Sequence, residues 1–193
     1  MRDRAEDKII LTFIRHGKTR MNLEKRYIGR TDEPLAEEGR AEIIKLWPGP
    51  PEAELIFVSP MKRCIETALL IFPEKKAEDF ISVPEWREMD FGVFEGKNYN
   101  ELNGDPRYQA WIDSGGTLGF PGGEDMESFK KRVHAGMDKF FDACKNYRNT
   151  DGIIKAAAVV HGGTIMALMS ELTGRDYYDF RIKNGEAIRT EIG

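Results

Sequence analysis

The stretch KIILTFIRHGKT, residues 8–19, joins an apolar run directly to an arginine, a histidine and a glycine. Two later stretches repeat this design: AELIFVSPMKR (53–63) and IKAAAVVHGGT (154–164). A continuous apolar run is typical of a strand that is buried on both faces, as in a parallel sheet with helical crossovers. We therefore predict an α/β fold, a three-layer sandwich in which helices cover both faces of a mostly parallel sheet.

Helical patterns follow these runs. For the helix that follows the second run, we predict Ser59 as the N-cap and Pro60 as the first residue. We predict that Gly174 ends the helix that follows the third run. PLAEEGRAEIIKLW (34–47) and EDMESFKKRVHAGMDKFFDACKNY (124–147) predict two more helices, the second long and amphipathic. The tail FRIKNGEAIRTEIG (180–193) predicts a strand or hairpin with a turn at KNGE.

The middle of the chain differs from the rest. We expect one domain over residues 1–193, with a lid-like insertion at about residues 75–123 that is rich in glycine, proline and aromatic residues and has no long helical period. Two interpretations of its aromatic side chains stay open: a small local core, or the wall of a substrate pocket. These aromatic residues are Phe80, Trp86, Phe91, Phe94, Tyr99, Tyr108, Trp111 and Phe120.

Composition excludes several classes of protein. The chain has 193 residues, a net charge of −4 and basic residues interleaved with acidic ones, which disfavours nucleic-acid binding. No apolar run is long enough to span a bilayer, and the N-terminus does not resemble a signal peptide. Cys64 and Cys144 lie in apolar helical patterns, so we predict reduced core thiols and a cytoplasmic protein.

Chemistry-bearing residues follow the apolar runs. Because ligands bind beyond the carboxyl ends of parallel strands, we expect these residues to meet at one edge of the sheet. Such an edge would favour the binding of a compact dianion, most simply a phosphoryl group. Arginine guanidinium groups can bind two of its oxygens at once, helix N-termini present free backbone amides, and glycine lets the backbone approach the ligand closely. The predicted phosphate-binding set is Arg15, His16, Asn22, Arg63, His161 and Gly162.

Other interpretations of the histidines carry less weight. Adjacent arginines oppose a metal ion, and no third His, Cys or carboxylate follows at ligand spacing, so we predict no metal. A lone histidine is usually structural, but His16 and His161 each end an apolar run and precede a glycine. His134 lies beside lysines on the polar side of the long predicted helix, and we expect it to be solvated.

Four segments carry a resemblance to a known family. FIRHGKTRMN (13–22) resembles the signature of the histidine phosphatase superfamily, the phosphoglycerate mutase-like proteins. SPMKRCIETA (59–68) resembles its second phosphate-binding segment, REMDFGVFEG (87–96) its acid-bearing loop, and VVHGGTIMAL (159–168) its second histidine segment. The four occur in the expected order and cover most of the chain.

The resemblance implies a mechanism without metal or cofactor. His16 would be the nucleophile that forms a phosphohistidine, while Arg15, Arg63 and His161 hold the phosphoryl oxygens. Such an enzyme acts on a small phosphomonoester.

The resemblance also implies the general acid. Glu88 would protonate the leaving oxygen and then activate water. Glu85 and Glu95 flank it and are the alternatives, and the acid-loop resemblance favours Glu88.

Finer features resemble α-ribazole phosphatases. They are YIGRTDEPLAEEG (27–39), WREMDFGVFEG (86–96) and FPGGEDMESFKKRV (120–133). In the last of these, the glycines form a tight turn and a helix N-cap, or Glu124 contacts a ribose. The short chain favours a phosphatase over a mutase. A phosphoglycerate mutase, a broad-range sugar phosphatase and a non-catalytic phosphate-binding scaffold stay as alternatives. A homodimer paired through an edge strand or the tail also stays open.

Overall fold

The sheet has five strands. In the computed structural model, which describes residues 8–147 and 152–193, the strand order is β3-β2-β4-β1-β5. Strand β5 runs antiparallel to β1, and the other pairs are parallel. The strands are β1 (Lys8–Arg15), β2 (Leu55–Val58), β3 (Ile81–Ser82), β4 (Ile153–Val160) and β5 (Ala187–Ile192).

Helices cover both faces of the sheet, as predicted. The helices are α1 (Arg20–Leu23), α2 (Glu37–Leu46), α3 (Lys62–Ile71), α4 (Tyr99–Leu102), α5 (Pro106–Asp113), α6 (Met126–Asn146) and α7 (Gly162–Thr173). Alternate residues of β1 point to opposite faces. Phe13 packs into a core with residues of α6 and α7, while Ile14 packs into a second core with residues of α2 and α3. The α/β three-layer prediction is confirmed.

Strand register brings the two histidines together. Strands β1 and β4 pair from Lys8–Ile153 to Arg15–Val160, so His16 and His161 both follow the last pair. The His16 N–H also donates to the carbonyl of Val160 at 3.0 Å. Two apolar runs of equal length therefore deliver the two imidazoles to the same edge of the sheet.

The predicted helix ends are correct in one case and wrong in another. Gly174 follows α7 with φ of +69°, a left-handed conformation that suits glycine. Helix α3, however, begins at Lys62 with Met61 at its N-cap, not at Pro60 after a Ser59 cap. The Ser59 hydroxyl is instead 2.8 Å from Nε2 of His161, because the strand end faces that histidine.

The middle segment, at about residues 75–123, contributes one strand to the sheet and a cluster of aromatic side chains. Residues Ile81–Ser82 form the edge strand β3, and Trp86 is fully buried against α6. The later aromatic residues cluster around Tyr27, whose ring centroid is 5.1 Å from that of Phe91 and 6.4 Å from that of Trp111. This cluster forms a local core, and part of it also lines the cavity described below.

Both cysteines are buried free thiols. Burial raises the pKa of Cys64 and of Cys144 to about 12, which keeps both thiols protonated at neutral pH. Among the helices that the structure describes, none combines the length and apolar character needed to cross a membrane.

Candidate active site

His16 lies just after β1 and is only 3% exposed. Its Nδ1 is 2.7 Å from the carbonyl oxygen of Gly17, and a carbonyl can only accept, so Nδ1 carries the proton. Burial, together with the positive charges of Arg63 and Arg15, holds the pKa of His16 well below its usual value. The imidazole is therefore neutral, with the lone pair on Nε2.

Neighbouring elements fix the loop that follows His16. The Gly17 N–H donates to the Thr67 hydroxyl at 2.9 Å, and this hydroxyl donates to the carbonyl of Arg63 at 2.6 Å. From the other side, the Asn184 amide donates to the His16 carbonyl at 3.0 Å. Asn184 belongs to the KNGE turn, so that turn supports the site as well as reversing the chain.

Arg63 is fully buried beside His161. It donates to the carbonyls of Thr31 (2.7 Å) and Gly29 (2.8 Å), and its Nε donates to Nδ1 of His161 at 3.3 Å. Three of the five guanidinium N–H groups are used in this way, and the other two have no partner among the described residues.

His161 is fully buried, with its ring centroid 5.1 Å from that of His16. Because Nδ1 accepts from Arg63, Nε2 carries the proton and donates to Ser59. Burial and the charge of Arg63 hold the pKa of His161 well below its usual value. Both ring nitrogens have protein partners, so binding a phosphoryl oxygen would require exchange of one of these bonds.

Asn22 lies at the edge of this group. It forms a capping box with Thr19 at the start of α1, and its amide oxygen accepts from the Thr19 N–H at 3.2 Å. The same oxygen is 3.5 Å from the Asn184 amide that holds the His16 carbonyl. Asn22 is therefore linked to His16 through Asn184.

Arg15, Glu88 and Gly162 meet at a cavity of about 330 Å³. Arg15 donates through Nη1 to the carbonyl of Ile182 at 2.7 Å, but its buried Nε has no partner among the described residues. Burial lowers the pKa of Arg15, an effect that Glu88 partly offsets. A Cβ on Gly162 would lie 3.2 Å from the Arg15 guanidinium, so glycine permits this close approach.

Glu88 faces the first turn of α7. Its carboxylate accepts from the N–H of Met89 and from that of Gly163, both at 3.0 Å. A Cβ on Gly163 would lie 2.3 Å from this carboxylate, so a side chain there would displace it.

The two alternative carboxylates differ from Glu88 in position. Glu95 accepts from the N–H groups of Gly29 (2.8 Å) and Thr31 (2.9 Å), which is a loop-supporting role. Glu85 does not line the cavity.

Arg132 on α6 holds the acid loop in place. Its guanidinium donates to the carbonyls of Glu85 (2.7 Å), Arg87 (3.1 Å) and Glu88 (3.2 Å). It also makes a bidentate pair with Glu124 at 2.8 and 2.7 Å. This role of Arg132 was not predicted from the sequence, because a single arginine on the polar side of a helix has the same pattern as an arginine exposed to solvent.

Glu124 serves the same loop. It accepts from the Asp90 N–H at 2.9 Å in addition to Arg132. Burial alone would raise the pKa of Glu124, but these hydrogen bonds outweigh it and lower the pKa. The carboxylate lines the cavity while its oxygens are already engaged.

The remaining cavity wall is mostly apolar. Tyr177, Tyr178 and Arg181, which lie after α7, belong to it, and no sequence pattern indicated them. The apolar and aromatic members of the wall are Tyr27, Met89, Phe91, Trp111, Leu118, Phe120, Met126, Met166, Tyr177, Tyr178 and Ile182. Within residues 8–147 and 152–193, no group of three His, Cys, Asp or Glu could hold a metal ion.

Several known proteins are similar to this chain in sequence. The profile of the histidine phosphatase superfamily (branch 1) matches residues 11–192. An adenosylcobalamin/alpha-ribazole phosphatase of Escherichia coli is 26% identical over 182 residues, which cover 91% of this chain and 86% of the relative. A metal-independent phosphoserine phosphatase of Arabidopsis thaliana is 28% identical over 168 residues, covering 84% of this chain and 68% of the relative.

A solved structure has the same fold. The alpha-ribazole phosphatase from Shigella flexneri superposes with a TM-score of 0.77 at 24% identity, covering 93% of this chain and 89% of that one. The profile match spans nearly the whole length of the chain and includes both strand-end histidines. The chain belongs to the histidine phosphatase superfamily and is a phosphatase.

Proposed function

We propose that this phosphatase hydrolyses phosphomonoesters through a phosphohistidine on His16, without a metal ion. The observation that carries the proposal is the fixed tautomer of His16. Its Nδ1–H is bound to the Gly17 carbonyl, and Nε2 keeps an unprotonated lone pair within the electrostatic influence of buried Arg63 and half-buried Arg15. A neutral imidazole in that state is ready to attack phosphorus.

In the first step, Nε2 of His16 attacks the phosphorus and the bond to the leaving oxygen breaks. Glu88, in its protonated form, gives its proton to that oxygen. The products are an alcohol, a phosphohistidine and the Glu88 carboxylate.

In the second step, the Glu88 carboxylate takes a proton from water while the water oxygen attacks phosphorus. The phosphorus–nitrogen bond breaks, which releases inorganic phosphate and restores neutral His16. Glu88 then holds the proton that it needs for the next cycle.

Cationic and amide donors stabilise the charge on the phosphoryl oxygens. Among the described residues, the buried Nε of Arg15 and two N–H groups of Arg63 have no partner. The first residues of α7 add backbone N–H groups that have no acceptor within the helix. His161 orders Arg63, and it contributes a further donor if its Ser59 bond exchanges for a phosphoryl oxygen.

The leaving group occupies the aromatic cavity beside Glu88. We take α-ribazole phosphate as the first candidate, because its flat base and sugar suit an apolar wall with a few polar groups. Phosphoserine is a second candidate substrate, because one relative is a metal-independent phosphoserine phosphatase. Its small charged leaving group would leave most of the aromatic wall uncovered.

The test compares kcat/KM for α-ribazole phosphate, phosphoserine, 3-phosphoglycerate, a sugar phosphate and p-nitrophenyl phosphate, with EDTA present and with His16→Ala as the control. We expect α-ribazole phosphate to exceed the others by orders of magnitude and EDTA to have no effect. Isomerisation of 3-phosphoglycerate without phosphate release would show a mutase. Turnover in none of them above the His16→Ala rate would favour a phosphate-binding scaffold.

A further inference from the structure

One polar group in the leaving-group cavity has no function in the mechanism above. Trp111 lines the cavity, and its indole Nε1 is buried without a hydrogen-bond partner among the described residues. A buried N–H without an acceptor destabilises the free protein, so its persistence calls for an explanation.

The indole of Trp111 lies next to the cavity wall. Atom Cζ2, which is next but one to Nε1 in the ring system, is 3.6 Å from the position that a Cβ on Gly116 would take. The same position is 3.8 Å from the Tyr178 hydroxyl. Gly116 and Tyr178 both line the cavity, so the buried Nε1 is two bonds from a ring atom that lies beside this wall.

Neighbouring rings fix the orientation of the indole. Trp111 stacks on Tyr108 with an interplanar angle of 15°, and its centroid is 5.0 Å from that of Phe120. The hydroxyls of Tyr27 and Tyr108 lie 3.2 Å apart, and no hydroxyl of the described residues, that of Tyr178 included, accepts from Nε1. The donor is therefore held rigidly and is not satisfied from within the cluster.

We propose that Trp111 Nε1–H is a specificity-determining donor for the leaving group. It selects a flat, largely apolar ring that carries a hydrogen-bond acceptor, such as a ring nitrogen or a carbonyl. A site with a buried donor rejects an analogue that lacks the acceptor, because the donor then stays unpaired. This inference rests on the proposed function, which anchors the phosphoryl end of the substrate at Arg15 and His16.

The test uses two isosteric substrates. Naphthylmethyl phosphate has no acceptor in its rings, and quinolinylmethyl phosphates place one nitrogen at successive ring positions. We expect the best quinoline isomer to exceed the naphthalene compound in kcat/KM by about 10-fold or more, the loss that an unpaired buried donor produces. Equal values for all isomers would overturn the inference.

Two variants locate the donor. Trp111→Phe keeps an aromatic ring but removes the N–H, so we expect the ratio of quinoline to naphthalene kcat/KM to fall to about one. Tyr178→Phe removes the neighbouring hydroxyl, and we expect that ratio to persist. If Tyr178→Phe abolishes the preference and Trp111→Phe retains it, the assignment to Trp111 is wrong.

A measurement on the unmodified protein keeps the test independent of the variants. The chain has three tryptophans, so ¹⁵N-indole labelling gives three N–H resonances. In the presence of inorganic phosphate, quinolinylmethanol should shift the Trp111 resonance downfield, and naphthylmethanol should not. Failure of the proposed function is recognised separately, since neither phosphate ester would then be hydrolysed faster than by His16→Ala.

Discussion

His16 and His161 are both buried next to Arg63, and both are neutral. Burial is the largest cause of their lowered pKa, and the arginine charges add to it. The same surroundings that would bind a phosphoryl dianion therefore also keep the nucleophile unprotonated. In the proposed mechanism, the positive charges would therefore serve catalysis before the substrate arrives as well as after it.

This charge state predicts how stability depends on pH. In the unfolded chain the two histidines take up protons below about pH 6.5, but in the folded protein they do not, so stability falls as pH decreases through this region. Each histidine contributes up to about 1.4 kcal/mol per pH unit. Urea unfolding between about pH 7 and pH 5.5 should show this slope, and His161→Gln should reduce it. An unchanged slope in that variant would mean that His161 is protonated in the folded state.

Glu88 predicts a dependence on the leaving group. Glu88→Gln keeps the shape of the side chain but removes the transferable proton, so kcat/KM for an alkyl phosphate should fall by about 10²- to 10⁴-fold. The first step with p-nitrophenyl phosphate should lose much less, because nitrophenolate leaves without protonation. Glu85→Gln is the matched control, since Glu85 lies outside the cavity, and it should retain activity. Equal losses for both substrates in Glu88→Gln would contradict the role of general acid.

Helix α6 contacts the loop that carries Glu88. Arg132 connects it to the carbonyls of Glu85, Arg87 and Glu88 and to the carboxylate of Glu124. Planar, forked donors suit this geometry, and a lysine cannot reproduce it. In the proposed mechanism Arg132 is therefore a positioning residue, which would act through Glu88 without touching the reacting atoms.

Arg132→Lys should lower kcat/KM for an alkyl phosphate by about 10- to 100-fold, through misplacement of Glu88. The reduction should be smaller for p-nitrophenyl phosphate. If Arg132 acts through Glu88, adding Arg132→Lys to Glu88→Gln should cost little more than Glu88→Gln alone. Multiplicative losses in the double variant would indicate a general loss of structure instead.

Strand patterns made much of the fold predictable, and tertiary contacts account for what was missed. The strands β1, β2 and β4 are mostly apolar and each ends at a change to polar residues, so the meeting of His16 and His161 was predictable from the strand ends. Ser59 was wrongly assigned as a helix cap, because its partner His161 lies about a hundred residues away along the chain. Arg132 and Asn184 were missed for the same reason, since neither stands in a local pattern that distinguishes it from a surface residue.

At the scale of the molecule, positive charge is concentrated at one site although the net charge of the chain is negative. The chain carries a net charge of −4, yet Arg15 and Arg63 lie within the electrostatic reach of one histidine. In the proposed mechanism the sheet edge would supply the phosphate chemistry, while side chains of residues 89–120 and those after α7 would form the wall for the leaving group. Substrate preference should therefore change with the lid and leave the phosphoryl chemistry in place.

The most direct test of the account is detection of the phosphohistidine. Glu88→Gln protein is mixed with ³²P-labelled p-nitrophenyl phosphate, because this variant should form the intermediate and hydrolyse it slowly. We predict label that survives alkali, is lost in acid, maps to His16 and is absent from a His16→Ala/Glu88→Gln double variant. No label on His16, with hydrolysis retained by His16→Ala, would contradict nucleophilic catalysis at this histidine.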